Sequence, residues 1–188
     1  IIWVNEVEMD NTFPCIYLAN EFFDALPIKQ FFKKENNWFE RYVNLKTYKK
    51  AEFNDKEVNI KIIEQELKFE ISKDQDIIEY SPEAFRYLEK ICKIIEKRDG
   101  GLLIIDYGYL DLKIKNTIQA IKNHKFSNIL EDIGDSDITY NLNFNLFANY
   151  IHQFEKLDHL ITNQKKFLTS MGILQRAEIV SNNIAFSQ

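Results

Sequence analysis

The run Gly101-Leu102-Leu103-Ile104-Ile105-Asp106-Tyr107-Gly108 constrains the fold more than any other part of this chain. Four consecutive apolar residues flanked by glycine fit a parallel strand covered on both faces. A helix leads into it. Apolar residues recur at Ala84, Phe85, Leu88, Ile91, Cys92 and Ile95, one helical stripe over about Pro82 to Lys97. Ser81 is a natural N-cap with Pro82 at the first helical position, and Gly100 can close the C-terminus. Helix followed by buried strand is half of a βαβ unit, so the expectation is an α/β fold, a parallel sheet with flanking helices.

A second apolar run, Cys15-Ile16-Tyr17-Leu18-Ala19, reads as another buried strand and ends in Asn20-Glu21, with Asp24 close behind. Asp106 and Tyr107 end the first run in the same way. Ligands of open α/β sheets bind at the C-terminal edge of the strands. If the two strands are neighbours, these groups converge on one crevice. Spacing alone leaves a turn- or helix-capping role equally open.

The remaining elements are coarser. Residues 1–4 read as a short strand. Residues 28–33 and 38–45, separated by Glu35-Asn36-Asn37, suggest a hairpin. Residues 46–76 are charged, with weak strand signals near 58–63 and 67–71, and read as a variable insertion. Phe144, Phe147, Ala148, Ile151 and Phe154 form a helical stripe with Asn143 as its cap. A short helix after Thr162 is expected to bury Phe167, Leu168 and Met171, with Gly172 at its end.

At 188 residues, with 45% hydrophobic content, the chain can form one ordinary domain or most of one. A net charge of -5 disfavours nucleic acid as the main partner, since phosphate binding relies on clustered positive charge. No apolar run approaches the ~18 residues of a membrane span. Metal-site spacings are missing: there is no zinc-type cysteine pairing and no H-E-x-x-H. Of the histidines, His152 and His159 read as surface or helix-end residues, and His124 is ambiguous. The chain starts at Ile1 inside an apolar run, which suggests a piece of something longer.

Ala19-Asn20-Glu21-Phe22-Phe23-Asp24-Ala25-Leu26-Pro27 resembles the signature of the MidA-like methyltransferases, a family that includes the mitochondrial complex I assembly factor that methylates an arginine. Trp38-Phe39-Glu40-Arg41-Tyr42-Val43 is similar to the family's W-x-E-R-x-V hairpin. Tyr80-Ser81-Pro82-Glu83-Ala84 is similar to its E-x-S-P-x-A helix start, and Gly100 to Gly108 to its G-G-x-x-L-x-I-D-Y-G strand. Thr117-Ile118-Gln119-Ala120 with His124, then Gly134 to Thr139, then Gln164, Phe167-Leu168, Met171-Gly172-Ile173 and Arg176-Ala177-Glu178 follow in order. The ordered succession is far more specific than any one motif.

The resemblance implies a class I, Rossmann-like methyltransferase sheet with an added β-hairpin, using S-adenosylmethionine. It further implies a protein substrate, such as a complex I subunit, and a bacterial cytoplasmic or mitochondrial matrix location. Glu21 and Asp24 are the expected catalytic residues and Asn20 the expected cofactor contact. Asp106, Tyr107 and His124 are expected on the substrate side. The family's glycine-rich cofactor loop, of E-x-G-x-G type, is not among these residues, so the chain is expected to be a partial methyltransferase domain over 1–188. The family's T-x-H-V-D-F pattern departs here to Asn141 and Asn143, a change that loses charge and would impair proton transfer if those groups serve it. The alternative is a catalytically inactive remnant or a protein-binding module.

Overall fold

Alternating burial along the first strand sets the architecture. The computed structural model describes Trp3, Val7 and residues 13–47, 50–131 and 133–183. It divides into two compact units, Ile1–Asp158 and His159–Gln188. The strand expected at residues 1–4 falls mostly outside the described residues; Trp3 itself is exposed.

In the first unit, β1 (Cys15–Asn20) is followed by the antiparallel hairpin β2 (Lys29–Lys34) and β3 (Asn37–Thr47), with Glu35 at positive φ in the turn. β4 (Lys50–Val58) pairs along β3, and α1 (Ile60–Leu67) follows, capped by the Asn59 side chain accepting from Lys61 N. The strand signal expected near 58–63 is therefore a helix instead. Ile60, Ile63 and Leu67 recur at helical spacing, and Ile60 and Leu67 are buried, so packing on that face overrides the local β-branched preference.

β5 (Ile77–Tyr80) closes the sheet in the order β4-β3-β2-β5, and α2 (Pro82–Arg98) follows with Ser81 Oγ accepting from Ala84 N. β6 (Gly100–Ile105) pairs in parallel with β1, Cys15 opposite Gly100 and Asn20 opposite Ile105. Gly100 does not cap the helix, a role taken by Asp99. It lies where a Cβ would sit 2.1 Å from the Cys15 carbonyl oxygen, and its φ of +130° suits only glycine.

β7 (Gly108–Tyr109), β8 (Gln119–Lys122), β9 (Lys125–Ser127) and β10 (Asp137–Thr139) come next, the last three forming one antiparallel sheet. β11 (Leu142–Asn143) pairs with β7 and feeds α3 (Phe144–Ile151). The second unit holds α4 (Gln164–Ser170) and α5 (Ile173–Asn183). α4 has the expected place but buries none of its residues, and Met171 is exposed.

The core lies between α2, α3 and the four-stranded sheet, with Phe23, Phe31, Ile78, Leu88 and Leu142 fully buried. Edge-to-face rings run from Phe23 to Phe147 (5.3 Å), to Phe85 (5.4 Å) and on to Tyr80 (5.9 Å). That chain of rings locks the residue next to Asp24 into the core. β1 and β6, expected to be buried on both faces, are half-buried. Ala19, Leu102 and Ile104 pack on the core, while Ile16 and Leu18 are exposed, because among the described residues β1 pairs only with β6.

Candidate functional site at the ends of two parallel strands

The parallel register brings the two polar strand ends side by side. Asn20 is opposite Ile105, and the next residue, Glu21, donates its N–H to the Ile105 carbonyl at 2.8 Å. Glu21 turns the chain with φ 46°, a left-handed conformation that a non-glycine residue holds only when its surroundings enforce it. Asp106 enforces it. Its Oδ2 accepts from Phe23 N at 3.0 Å and from Asp24 N at 3.3 Å, while Oδ1 accepts from Tyr107 N at 2.8 Å. The carboxylate of one strand end thus ties down the turn after the other.

Asp24 is 8% exposed, and its backbone N–H is held by the Asp106 carboxylate. Both are held above the ordinary aspartate range. Burial is the main cause at each, followed by the Glu21 charge at Asp24 and the Asp24 charge at Asp106. Each of the two carboxyls therefore holds its proton more readily than a free aspartate would.

A cavity of about 140 Å³ opens beside Asp24. Leu26, Ile28, Ile118, Ile138 and Tyr140 make it largely apolar, with Asp24 as its acidic group. It is smaller than the ~300–1,000 Å³ typical of small-molecule pockets, and it suits a single side chain with an aliphatic stem and a cationic head. Tyr140 is buried, and burial together with the nearby Asp106 and Glu79 charges pushes its hydroxyl far above the usual tyrosine range, so it stays neutral.

The expected site residues divide into two groups. Asn20, Glu21, Asp24 and Asp106 come together at one strand edge, Asn20 and Glu21 exposed and Asp24 buried. Tyr107 adjoins them, but its backbone carbonyl accepts from Leu142 N and its side chain points into solvent. Asp106, expected on the substrate side, spends both oxygens on backbone N–H groups. His124 lies at the exposed tip of the β8–β9 hairpin, with Asn123 and His124 both at positive φ. It is six residues along the chain from Ile118, so at about 3.3 Å per strand residue the length of β8 separates it from the cavity.

Asn143 caps α3 and ties it to the loop before β8. Its Oδ1 caps Asn145 N at 3.0 Å and its Nδ2 donates to the Asp111 carbonyl at 3.2 Å, a bond that an ionised aspartate cannot make. Asn141 contributes its backbone N–H, donated to Thr117 Oγ1 at 2.9 Å.

Sequence reasoning missed Glu79, a buried carboxylate behind the cavity. The available signal was a lone acid inside the apolar strand Ile77-Ile78-Glu79-Tyr80, where a charge persists only if its bonds are met.

Comparison with known proteins gives this geometry its family. A family model described as "Putative S-adenosyl-L-methionine-dependent methyltransferase" matches residues 1–162. The chain is 28% identical over 184 residues to the zebrafish protein arginine methyltransferase NDUFAF7, mitochondrial, covering 96% of this chain and 42% of that protein. The Caenorhabditis elegans homolog is 29% identical over 167 residues, covering 86% and 38%. Two solved structures share the fold. A Burkholderia thailandensis protein bound to S-adenosyl-homocysteine has a TM-score of 0.70 at 20% identity, covering 93% of this chain and 46% of that one. A second structure from the same organism has a TM-score of 0.74 at 21% identity, covering 97% of this chain and 50% of that one. The chain spans about two fifths of the curated relatives it matches and about half of these structures. With a match over residues 1–162, the chain belongs to the family of S-adenosyl-L-methionine-dependent methyltransferases.

Proposed function

We propose that this chain carries the substrate side of a methyltransferase acting on an arginine side chain of a protein. The observation that supports it most is the apolar cavity of about 140 Å³ ending at the buried carboxyl of Asp24, with Glu21 beside it. Relatives named protein arginine methyltransferase point to the same substrate class. A respiratory complex I subunit is the substrate we favour, on the MidA-like resemblance. The mitochondrial naming of those relatives favours the matrix if the source is eukaryotic, and the cytoplasm if it is bacterial.

The cofactor would be S-adenosylmethionine, which supplies the electrophilic methyl group when bound. The residues present fit one wall of its site. The exposed Asn20 amide and the strained Glu21 backbone stand at the C-terminal edge of a parallel pair, where such sheets take their ligands. No glycine follows β1 to let the backbone approach more closely.

A guanidinium arrives protonated and delocalised. In our reading the Glu21 and Asp24 carboxylates accept its N–H groups, fix its plane and concentrate its charge on the nitrogens they face. The aliphatic stem lies against Leu26, Ile118 and Tyr140. Burial makes Asp24 a stronger base than an exposed aspartate, so one of its Oδ atoms takes the proton released from the methylated nitrogen. Asp106 holds the turn that presents both acids.

The test is methyl transfer from S-adenosylmethionine to arginine-containing peptides by the protein expressed from its own reading frame. Glu21→Gln should lower kcat by about 100-fold, the scale of a misplaced substrate, with an unchanged urea midpoint. A fully active Glu21→Gln protein would remove Glu21 from this role. A second reading, a protein-binding module without turnover, draws on the exposed Ile16 and Leu18 face. Capture of a partner by a chain that binds no S-adenosylmethionine would favour it.

A further inference from the structure

Glu79 is 4% exposed, and donors from two segments far apart in the chain converge on its carboxylate. From β2, Gln30 Nε2 donates to Oε2 at 2.6 Å and also to Asn116 Oδ1 at 2.8 Å, which uses both of its protons. From the segment leading into β8, Thr117 N donates at 3.0 and 3.2 Å to the two oxygens, and Ile118 N donates at 3.3 Å. The Thr117 hydroxyl also contacts Glu79 Oε1. A hydroxyl has one proton. Given to the carboxylate, it leaves a lone pair for Asn141 N, which donates to Thr117 Oγ1 at 2.9 Å.

This network stands directly behind the cavity beside Asp24. Ile118 and Thr139–Tyr140, joined by the β8–β10 ladder, form one of its walls, and Leu26 to Ile28, which lead into β2, form the other. The first wall is therefore fastened to Glu79 through Thr117 and Ile118, and Glu79 is fastened through Gln30 to the strand that follows the second. We propose that Glu79 is a positioning residue that sets the separation of the Ile118–Tyr140 wall from the Leu26–Ile28 wall, and so determines how well a side chain fits against Asp24. The fit to an arginine side chain rests on the substrate reading above; the fastening of the walls does not.

Glu79→Gln keeps the shape but places an NH₂ against donors, either Gln30 Nε2 or Thr117 N. Two measurements on the 188-residue chain test the proposal. Amide exchange at Thr117, Ile118 and Asn141 should quicken by at least about tenfold, as expected for loss of a bond to a charged acceptor, while Leu88 in α2 stays protected. N-acetyl-arginine amide, titrated by NMR, should bind about tenfold more weakly for the same reason. The double variant Glu79→Gln with Gln30→Glu returns a carboxylate to face the new NH₂ and should recover both readouts towards wild type.

Unchanged exchange at Thr117, Ile118 and Asn141 would overturn the proposal. So would faster exchange spread equally to Leu88, which would make Glu79 a general stability residue. Faster local exchange with unaltered arginine amide binding would detach Glu79 from the cavity and overturn it too. If the wild-type chain binds no arginine amide, the substrate reading fails, and the positioning of the walls is then decided by the exchange data and their recovery in the double variant.

Discussion

The four-stranded antiparallel sheet and the parallel pair β1–β6 are built from similar residues but stand in opposite conditions. In the first, Phe31 and Ile78 are 0% exposed and pack under Tyr80, Phe85 and Trp38. Its outer strands are further braced by Arg41, which lies 4.0 Å from the Phe32 ring centre and 4.7 Å from that of Phe53 while pairing with Asp55 at 3.0 Å. In the second, Ile16 is 86% and Leu18 67% exposed. Parallel strands normally have both faces covered. The sheet that carries stability is thus distinct from the pair that presents Glu21, Asp24 and Asp106. The site depends on a few backbone bonds and on the ring chain from Phe23 to sit where it does.

The strongest way to break that division is through the antiparallel sheet. Phe31→Ala removes a fully buried ring stacked at 6.2 Å on Tyr80, and should cost about 3–5 kcal/mol in urea denaturation. Loss of less than about 1 kcal/mol, the centre of ordinary mutational effects, would mean that the sheet is not the stabilising element. Next comes Gly100→Ala. The added Cβ meets the Cys15 carbonyl oxygen, and the φ of +130° adds strain of about 1–3 kcal/mol. Its damage should be local. Amide exchange at Glu21, whose N–H bonds Ile105, should quicken, while Phe31 and Ile78 remain protected.

What was legible in the sequence follows the same division. β1, β6 and α2 stand out because apolar runs and the Ser81-Pro82 cap are local signals. The convergence of their ends could be anticipated, since it needs only that the strands be neighbours. β4 was hidden. Ala51 to Val58 is rich in charge, and it becomes a strand because β3 pairs with it and Arg41 bridges to Asp55 and Phe53. α1 was hidden by its Ile-Lys-Ile-Ile opening, which alternates like a strand, although Asn59 offered a cap. The exposure of β1 was misread because an apolar run reports what could be buried, not what covers it. Glu79 is marked in the sequence as a lone acid in an apolar strand, but its role needs the fold, since its partners Gln30 and Thr117 are 49 and 38 positions away.

The two regions should also part in their pH response, a smaller effect. Asp24 and Asp106 have folded values raised above the ordinary 3.8, so the folded chain holds their protons longer than the unfolded chain does. Their contribution to stability falls as pH rises from 3.8 through the raised values. Asp55 is the reverse case. The Arg41 hydrogen bond, helped by Lys34, lowers it below 3.8, so its contribution is present above 3.8 and lost as pH falls through the lowered value. Urea midpoints measured against pH should show Asp24→Asn flattening the decline above 3.8, and Asp55→Asn removing only the loss on the acid side. The same profile change in both variants would contradict the separation.

The smallest expected effect is the sharpest on the parallel pair itself. Ile16 points away from the core, opposite Gly101 on the same face, and a side chain 86% exposed has little apolar burial to lose. Ile16→Ser should therefore change the stability of this chain by no more than about 0.5 kcal/mol, the range of surface substitutions. The neighbouring position is the control. Tyr17 points to the covered side and is held above the usual tyrosine range chiefly by burial, so Tyr17→Ser should cost more than Ile16→Ser. Because successive strand residues face opposite ways, these adjacent changes compare the two faces within a single strand. Equal costs would mean that the Ile16 and Leu18 face is covered in solution, and that the parallel pair is as well supported as the antiparallel sheet.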